Sequence, residues 1–316
     1  MTPDASPAKP STLRTWITAA RPWALPASTM PVIFGTSLAV VVGGARLAWG
    51  RFVLALLGMM VLHSAANMMS DVYDFRRGLD RDVTPVSGAI VRGWLSWRQV
   101  AGASLALFVL GSAVGLFLVR LTSPVLLWVG AVGVAVGAFY TLLKANALGD
   151  LAVFLDFGLL GALGAWVVQT KSFSWLPVVW TVPMAMLVSA ILHANNWRDA
   201  VSDSERRVRT VGGLLGDRGS LAYFGFLIFG PFVIVAGFIF VPRLMAPGLP
   251  ALPLTFLIVL LAVPNALRLW GRALRRHNPR RPLDFVILDG ATARHNLVFG
   301  ALSVAAVWLE ALLRAL

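Results

Sequence analysis

Apolar runs of about one helix length follow one another along this chain, and the charged residues collect in the short segments between them. Crossing a hydrocarbon core of about 30 Å takes about 20 helical residues. Nine stretches meet that length: 22–45, 52–71, 99–119, 121–143, 150–170, 174–197, 220–241, 246–268 and 293–313. The sixth has no charged residue between Ser172 and Trp197, whereas Arg294 and Glu310 shorten the apolar part of the ninth. The pattern predicts an all-α membrane protein, a nine-transmembrane-helix bundle.

Composition agrees. Only 13% of the 316 residues are charged, against about 25% in soluble domains, and the mean hydropathy is +0.78, which excludes an ordinary soluble enzyme. With no cysteine, disulfides, thiolate metal sites and cysteine nucleophiles are excluded as well. The net charge of +13 would suggest nucleic acid in a soluble protein. Here the basic residues lie in short loops, so no nucleic-acid partner is expected, and the bias sets orientation. One face of the bundle collects 21 of the 27 Lys and Arg residues and the other 6. This puts the N-terminus and the even-numbered loops in the cytoplasm and the C-terminus outside. Residues 1–15, polar and rich in Pro and Ser, read as a disordered cytoplasmic tail, and 16–316 as a single polytopic domain.

Eleven of the 14 acidic residues fall on the cytoplasmic side, although acids contribute little to the orientation rule. The end of the second span reads NMMSDVYDFRRGLDRD and the end of the sixth NNWRDAVSDSERR. On a helix Asn67, Asp71 and Asp74 share one face, as do Asn196, Asp199 and Asp203. Two acidic faces at one depth would repel each other, and a divalent cation removes the conflict. Oxygen ligands without Cys or suitably spaced His favour Mg²⁺, which takes one or two carboxylates together with substrate phosphate. Arg76, Arg77, Arg81, Arg198, Arg206 and Arg209 are placed to bind the remaining phosphate charge. A single Asp at a helix end is more often a solvated cap; it is the pair of matched sets that points to a metal–diphosphate site.

These motifs resemble those of the UbiA-type superfamily of intramembrane prenyltransferases, within it the branch that prenylates 1,4-dihydroxy-2-naphthoate in menaquinone synthesis. Residues 20–36, 70–80, 140–158 and 193–210 carry the likeness, with Ser70, Gly78 and the TPVSG at 84–88 as departures. The resemblance implies a central cavity under a cytoplasmic cap. It gives metal–diphosphate roles to Asp71, Asp74, Asp199 and Asp203, and supporting roles to Asn67 and Asn196. Arg21, Tyr140 and Lys144 then face the diphosphate or the acceptor, and Arg21, Arg92 and Lys144 are candidates for positioning the acceptor's carboxylate. Lys144 is grouped with the four aspartates as catalytic.

The expected partners are thus a polyprenyl diphosphate, an aromatic acceptor, Mg²⁺ and the lipid bilayer of a bacterial or archaeal cell. Loops 75–98 and 198–219 are the expected lid against water. Asp156, about 9 Å inside the fifth span by helix rise, either faces the cavity and touches the acceptor or is a neutral or water-bonded acid. His193 reads first as a packed histidine. Alternatives are a prenyltransferase for another quinone or lipid acceptor, a membrane terpene cyclase of the same superfamily, or a cation-coupled transporter. Transporter sites gather near the bilayer midplane, and these acids do not.

Overall fold

Two prolines decide how the chain enters the bundle. Helix α1 (Thr12–Ala20) starts at Ser11, whose hydroxyl accepts a hydrogen bond from the Arg14 N–H. A 3₁₀ turn over Pro22–Ala24 then leads into α2 (Pro26–Val41), bent by 54° from the segment before it. The α region is disfavoured for a residue that precedes proline, and Arg21 takes the left-handed conformation instead (φ 52°, ψ 56°). The computed structural model describes residues 10–78, 83, 88–205, 208–245, 248–281 and 283–316.

Helix therefore begins at Thr12, inside the segment expected to be a disordered tail, while residues 1–9 lie outside the described residues. Packing is the reason: Trp16 and the buried Ala19 join Met68, Val72 and Val100 in one apolar cluster. Correspondingly, the first span is not one helix over 22–45 but a broken one.

The remaining helices are longer than their apolar cores. α3 (Trp49–Arg76) carries Asn67, Asp71 and Asp74 on a single helix. α4 (Trp97–Leu121) opens with a capping box between Ser96 and Gln99, and α5 (Val125–Ala145) follows. The next span, Gly149–Thr170, is made of α6 (Gly149–Val153), a π-helical segment Phe154–Leu160 and α7 (Gly161–Thr170). α8 (Leu176–Arg198) hands over to the short α9 (Ala200–Glu205). α10 (Val211–Leu244) starts nine residues before the expected 220 and breaks at Gly216, whose φ is 62°. A 3₁₀ segment Leu254–Ala262 runs into α11 (Val263–Leu274), and α12 (Leu288–Ala315) ends the chain. Among the described residues eight helices are long and apolar enough to cross a membrane, and the bent α1–α2 pair makes a ninth.

α2, α7 and α8 form the centre, whereas α5 turns most of its apolar surface outward, as a helix facing lipid does. Phe34, Leu38, Met184, Leu187 and Phe299 are fully buried there. Backbones meet where α2 crosses α7: a Cβ on Gly35 would lie 2.2 Å from the carbonyl oxygen of Ala162. Backbone cannot give way as a side chain does, so Gly35→Ala is expected to cost about 1–3 kcal/mol, the usual cost of overpacking. A lowered melting temperature in detergent, with no new aggregate at the start of the scan, is the readout; an unchanged one would contradict this crossing.

Candidate active site

At one end of the bundle the C-terminal turn of α3, the last turn of α5, and the α8–α9 junction face a common cavity of about 820 Å³. Asp74 enters from α3, Lys144 and Tyr140 from α5, Asp199 from the junction and Asp203 from α9. Arg21, Arg92 and Asn67 also line it. The second acidic set is not on one continuous helix: α8 ends at Arg198 and Asp199 is its cap. The face is kept nonetheless, because the Asp203 N–H bonds the Asp199 carbonyl at 2.9 Å, which carries helical pitch across the junction.

Cations pair with the first acidic set. The Lys144 ammonium lies 3.3 Å from the Asp74 carboxylate and interacts electrostatically with Asp203 and Asp199 as well, so it stands between the two sets. Arg21 forms an ion pair with Asp71, which is buried and does not line the cavity. Gly88 closes over the same carboxylate, since a Cβ there would lie 2.7 Å from Asp71 Oδ2. The left-handed turn at Arg21 is thus what brings a guanidinium from the α1–α2 break onto α3.

Besides Asp71, four expected site residues are engaged elsewhere. Asn196 is buried outside the cavity lining, and its amide donates to Asp150 Oδ1 at 3.3 Å. Arg198 lines the cavity, but its guanidinium is engaged by Asp199 at 2.9 Å and Asp289 at 3.0 Å, and by Asn195. Arg77 is exposed over the Tyr73 ring, 4.9 Å from its centroid. Arg209 is exposed too; its backbone pairs with the α5–α6 turn, accepting from Ala147 N–H at 2.6 Å and donating to Ala145 at 3.2 Å. Arg81 and Arg206, with Asp80, Asp82 and residues 84–87, lie outside the described residues.

Sequence reasoning missed a supporting layer. Asp150, at the start of α6, receives Asn196 and lies 3.4 Å from His193 Nδ1, while the other ring nitrogen of His193 meets the Ser220 carbonyl at 3.2 Å. This buried group ties α6, α8 and α10 together behind the acids. His193 is thereby a packed histidine, as its first reading had it. His63, one turn before Asn67 on α3, lines the cavity; its Nδ1 lies 2.8 Å from Ser28 Oγ and its ring stacks on Phe157 at 4.2 Å. The single Asp150 in GDL and the lone His63 carry no local pattern that would have singled them out.

A second cavity of about 370 Å³, lined almost wholly by apolar residues, runs between α3, α4, α5 and the α6–α7 span. Ala66, Gly137, Asp156 and Phe157 belong to both linings, so the polar chamber opens into the apolar one. The arrangement suits an amphipathic molecule with an anionic head and a long hydrocarbon tail.

Among the described residues no three acidic, histidine or cysteine groups lie close enough to enclose an ion. What the cavity offers is all-oxygen: Asp74, Asp199 and Asp203, together with Asn67, whose amide nitrogen is buried without a partner. Amide oxygen and nitrogen are interchangeable by a flip, so this side chain is uncommitted. Few carboxylates, with places left for water and phosphate, fit Mg²⁺ better than a closed protein cage would.

Comparison with known proteins extends this. A sequence profile of the UbiA prenyltransferase family matches residues 28–309. The chain is 30% identical over 309 residues to the UbiA prenyltransferase domain-containing protein 1 homolog of Drosophila melanogaster, covering 93% of this chain and 79% of that one. It is 32% identical over 226 residues to UbiA prenyltransferase domain-containing protein 1 of Xenopus tropicalis, covering 70% of this chain and 65% of the frog protein. In three dimensions it is similar to a UbiA homolog from Archaeoglobus fulgidus bound to DMAPP and Mg²⁺, with a TM-score of 0.60 and 15% identity over 93% of this chain and 99% of the other. The apo UbiA homolog from Aeropyrum pernix K1 gives the same score at 16% identity, over 90% and 97%. At these identities the likeness is one of fold.

Proposed function

The chain belongs to the UbiA prenyltransferase family and is an integral membrane prenyltransferase, and from that premise we propose that it moves a polyprenyl group from polyprenyl diphosphate to an aromatic acceptor with Mg²⁺. The acceptor is a hydroxylated bicyclic ring of the 1,4-dihydroxy-2-naphthoate kind, and the site faces the cytoplasm. The observation that carries this reading is the join of a charged chamber to an apolar one, with acids and cations in the first. Among the described residues that line the cavity, the charged groups other than Asp156 gather at one end, which favours the enzyme over a transporter-like site at mid-depth.

The diphosphate head occupies the chamber between Asp74 and the α8–α9 acids. Asp74 with Asn67 on one side of the chamber, and Asp199 with Asp203 on the other, would hold Mg²⁺ through one or two carboxylates completed by water and diphosphate oxygens, and the ion would supply electrostatic stabilisation for a departing diphosphate. Lys144 sits between the two acidic sets and donates hydrogen bonds to phosphate oxygens as negative charge grows on them. Arg21 and Arg92, at the α1–α2 break and beside Trp94, hold the carboxylate of the acceptor. Apolar walls around the prenyl C1 keep water away while the electron-rich ring attacks. A new carbon–carbon bond forms, the carbon–oxygen bond to diphosphate breaks, and the ring regains aromaticity by losing carbon dioxide or a proton.

Mass spectrometry of products from purified protein given Mg²⁺, a prenyl diphosphate and a panel of hydroxylated aromatic acids tests the reading. A prenylated naphthol product is expected. Diphosphate released with a cyclic hydrocarbon as the only product would indicate a cyclase, and prenylation of a non-aromatic lipid alone would replace the acceptor.

Gly164 on α7 lines the apolar chamber, and a Cβ there would meet only Val129 and Leu126, at 3.7 and 3.9 Å. Gly164→Phe is expected to fill the chamber and shift preference to shorter donors, with kcat/KM for a C20 or longer chain falling about tenfold relative to a C5 or C10 one. An unchanged ranking of donors would show that the tail runs elsewhere.

A further inference from the structure

Asp156 is the one acid common to the linings of both chambers. It sits in the π-helical segment of the α6–α7 span, a widened turn of the kind that recurs at functional sites. The residue is only 9% exposed, and its carboxylate makes no hydrogen bond or ion pair with any described residue. A buried carboxylate left without donors is costly, and most buried polar groups do have partners. The facing helix leaves room for one: α5 presents Gly133 and Gly137 there, and a Cβ on Gly133 would come within 2.9 Å of Asp156 Oδ1. The stacked rings of His63 and Phe157 form another part of the same wall. No described residue in this neck donates a hydrogen bond to Asp156, which leaves its carboxylate open to a donor carried by a ligand.

Depth says which ligand. From Lys144 to Gly137 is seven residues of α5, about 10 Å along the helix. Charged groups that bind diphosphate and carboxylate lie at the upper level, and Asp156 lies at the lower. An acceptor with its carboxylate between Arg21 and Arg92 carries its second hydroxyl across the same ring, and with a hydrogen bond at each end that ring bridges the drop to Asp156. Resting on the aromatic-acceptor reading above, we propose that Asp156 is a specificity-determining residue that accepts a hydrogen bond from the acceptor's ring hydroxyl remote from the carboxylate. The prenyl chain, which has no donor, gains nothing from this carboxylate.

The test uses two acceptors of one skeleton, 1,4-dihydroxy-2-naphthoate and 1-hydroxy-2-naphthoate, with the intact protein in detergent or nanodiscs, Mg²⁺ and one prenyl diphosphate. Asp156→Ala is expected to lower kcat/KM for the dihydroxy acceptor by about tenfold or more, the loss of one hydrogen bond to a charged group. The loss should appear in acceptor KM, with donor KM and the kcat/KM for the monohydroxy acceptor unchanged. Asp156→Asn keeps the shape and one accepting oxygen, and is expected to give a smaller loss of the same selectivity. It also keeps the test readable should the alanine variant fail to fold. Gly133→Ala, which crowds the same carboxylate from α5, is expected to reproduce the selective loss in part. Equal loss on both acceptors, a shift in donor KM or chain-length preference, or no loss would overturn the inference while leaving the function standing. A wild-type protein that prenylates neither ring would overturn the acceptor reading and this inference with it.

Discussion

Asp74→Ala is expected to lose at least about a hundredfold in turnover at saturating donor, and up to about a thousandfold, which corresponds to roughly 3–4 kcal/mol of transition-state stabilisation. Asp74 is the acid of α3 that faces the chamber directly, and the Lys144 ammonium is 3.3 Å away. Removing it takes one carboxylate from the cation site and frees Lys144 to turn toward Asp203 and Asp199, whose charges it already senses. Both effects misplace positive charge at the departing diphosphate. Because the pair acts together, Lys144→Met on its own should be nearly as damaging, and the double variant little worse than either single one, a non-additivity expected of residues in contact. An unchanged elution profile in detergent separates this from unfolding. Turnover within a few-fold of wild type would remove Asp74 from the mechanism.

Withdrawing divalent cations should have an effect as large. A chelator in excess is expected to bring product formation to background, and Mg²⁺ to restore it fully. Ca²⁺, larger and less demanding of octahedral geometry, should restore little. The described residues offer too few protein ligands to retain an ion by themselves, so metal and donor should bind interdependently: half-saturation in Mg²⁺ should fall as the prenyl diphosphate concentration rises. Asp203→Asn, with a neutral oxygen where a buried carboxylate stood, should raise the Mg²⁺ concentration needed for half-maximal rate by about tenfold. Activity that survives chelation would rule out the cation role assigned to these acids.

The span pattern was legible because the bilayer imposes a single length on every crossing, and boundaries slipped where helices extend past the apolar part, as α3 does to reach Asp74 and α10 does to begin at Val211, where a span is broken, as the first is, and where one starts late, as the eighth does at Leu254 instead of 246. The acid sets were legible for a related reason: helical spacing alone puts Asn67, Asp71 and Asp74 on one face. What the spacing could not tell is which of them points inward. Asp71 and Asn196 carry the same motif logic as Asp74 and Asp203, yet one is buried against Arg21 and the other serves Asp150. Those outcomes depend on partners 50 and 46 residues away in sequence, and no local pattern encodes them. The arginines went astray for another reason. A guanidinium beside an acid motif is equally able to reach phosphate, a ring or a neighbouring carboxylate, and Arg77 and Arg198 took the latter two. The α1 helix escaped notice because a polar, proline-bearing start reads as tail until a surface exists for Trp16 and Ala19 to pack on.

The backbone at Arg21 has an implication for how such a position can vary. A side-chain-bearing residue held at φ 52° sits about 1–2 kcal/mol above a helical one, and glycine would relieve that penalty. Glycine would also strip the guanidinium from Asp71 and from the chamber. Taking its partner from a buried carboxylate costs about 3–5 kcal/mol, more than the strain relieved, so the ion pair holds arginine at this left-handed position and a library selected for heat resistance alone should keep it.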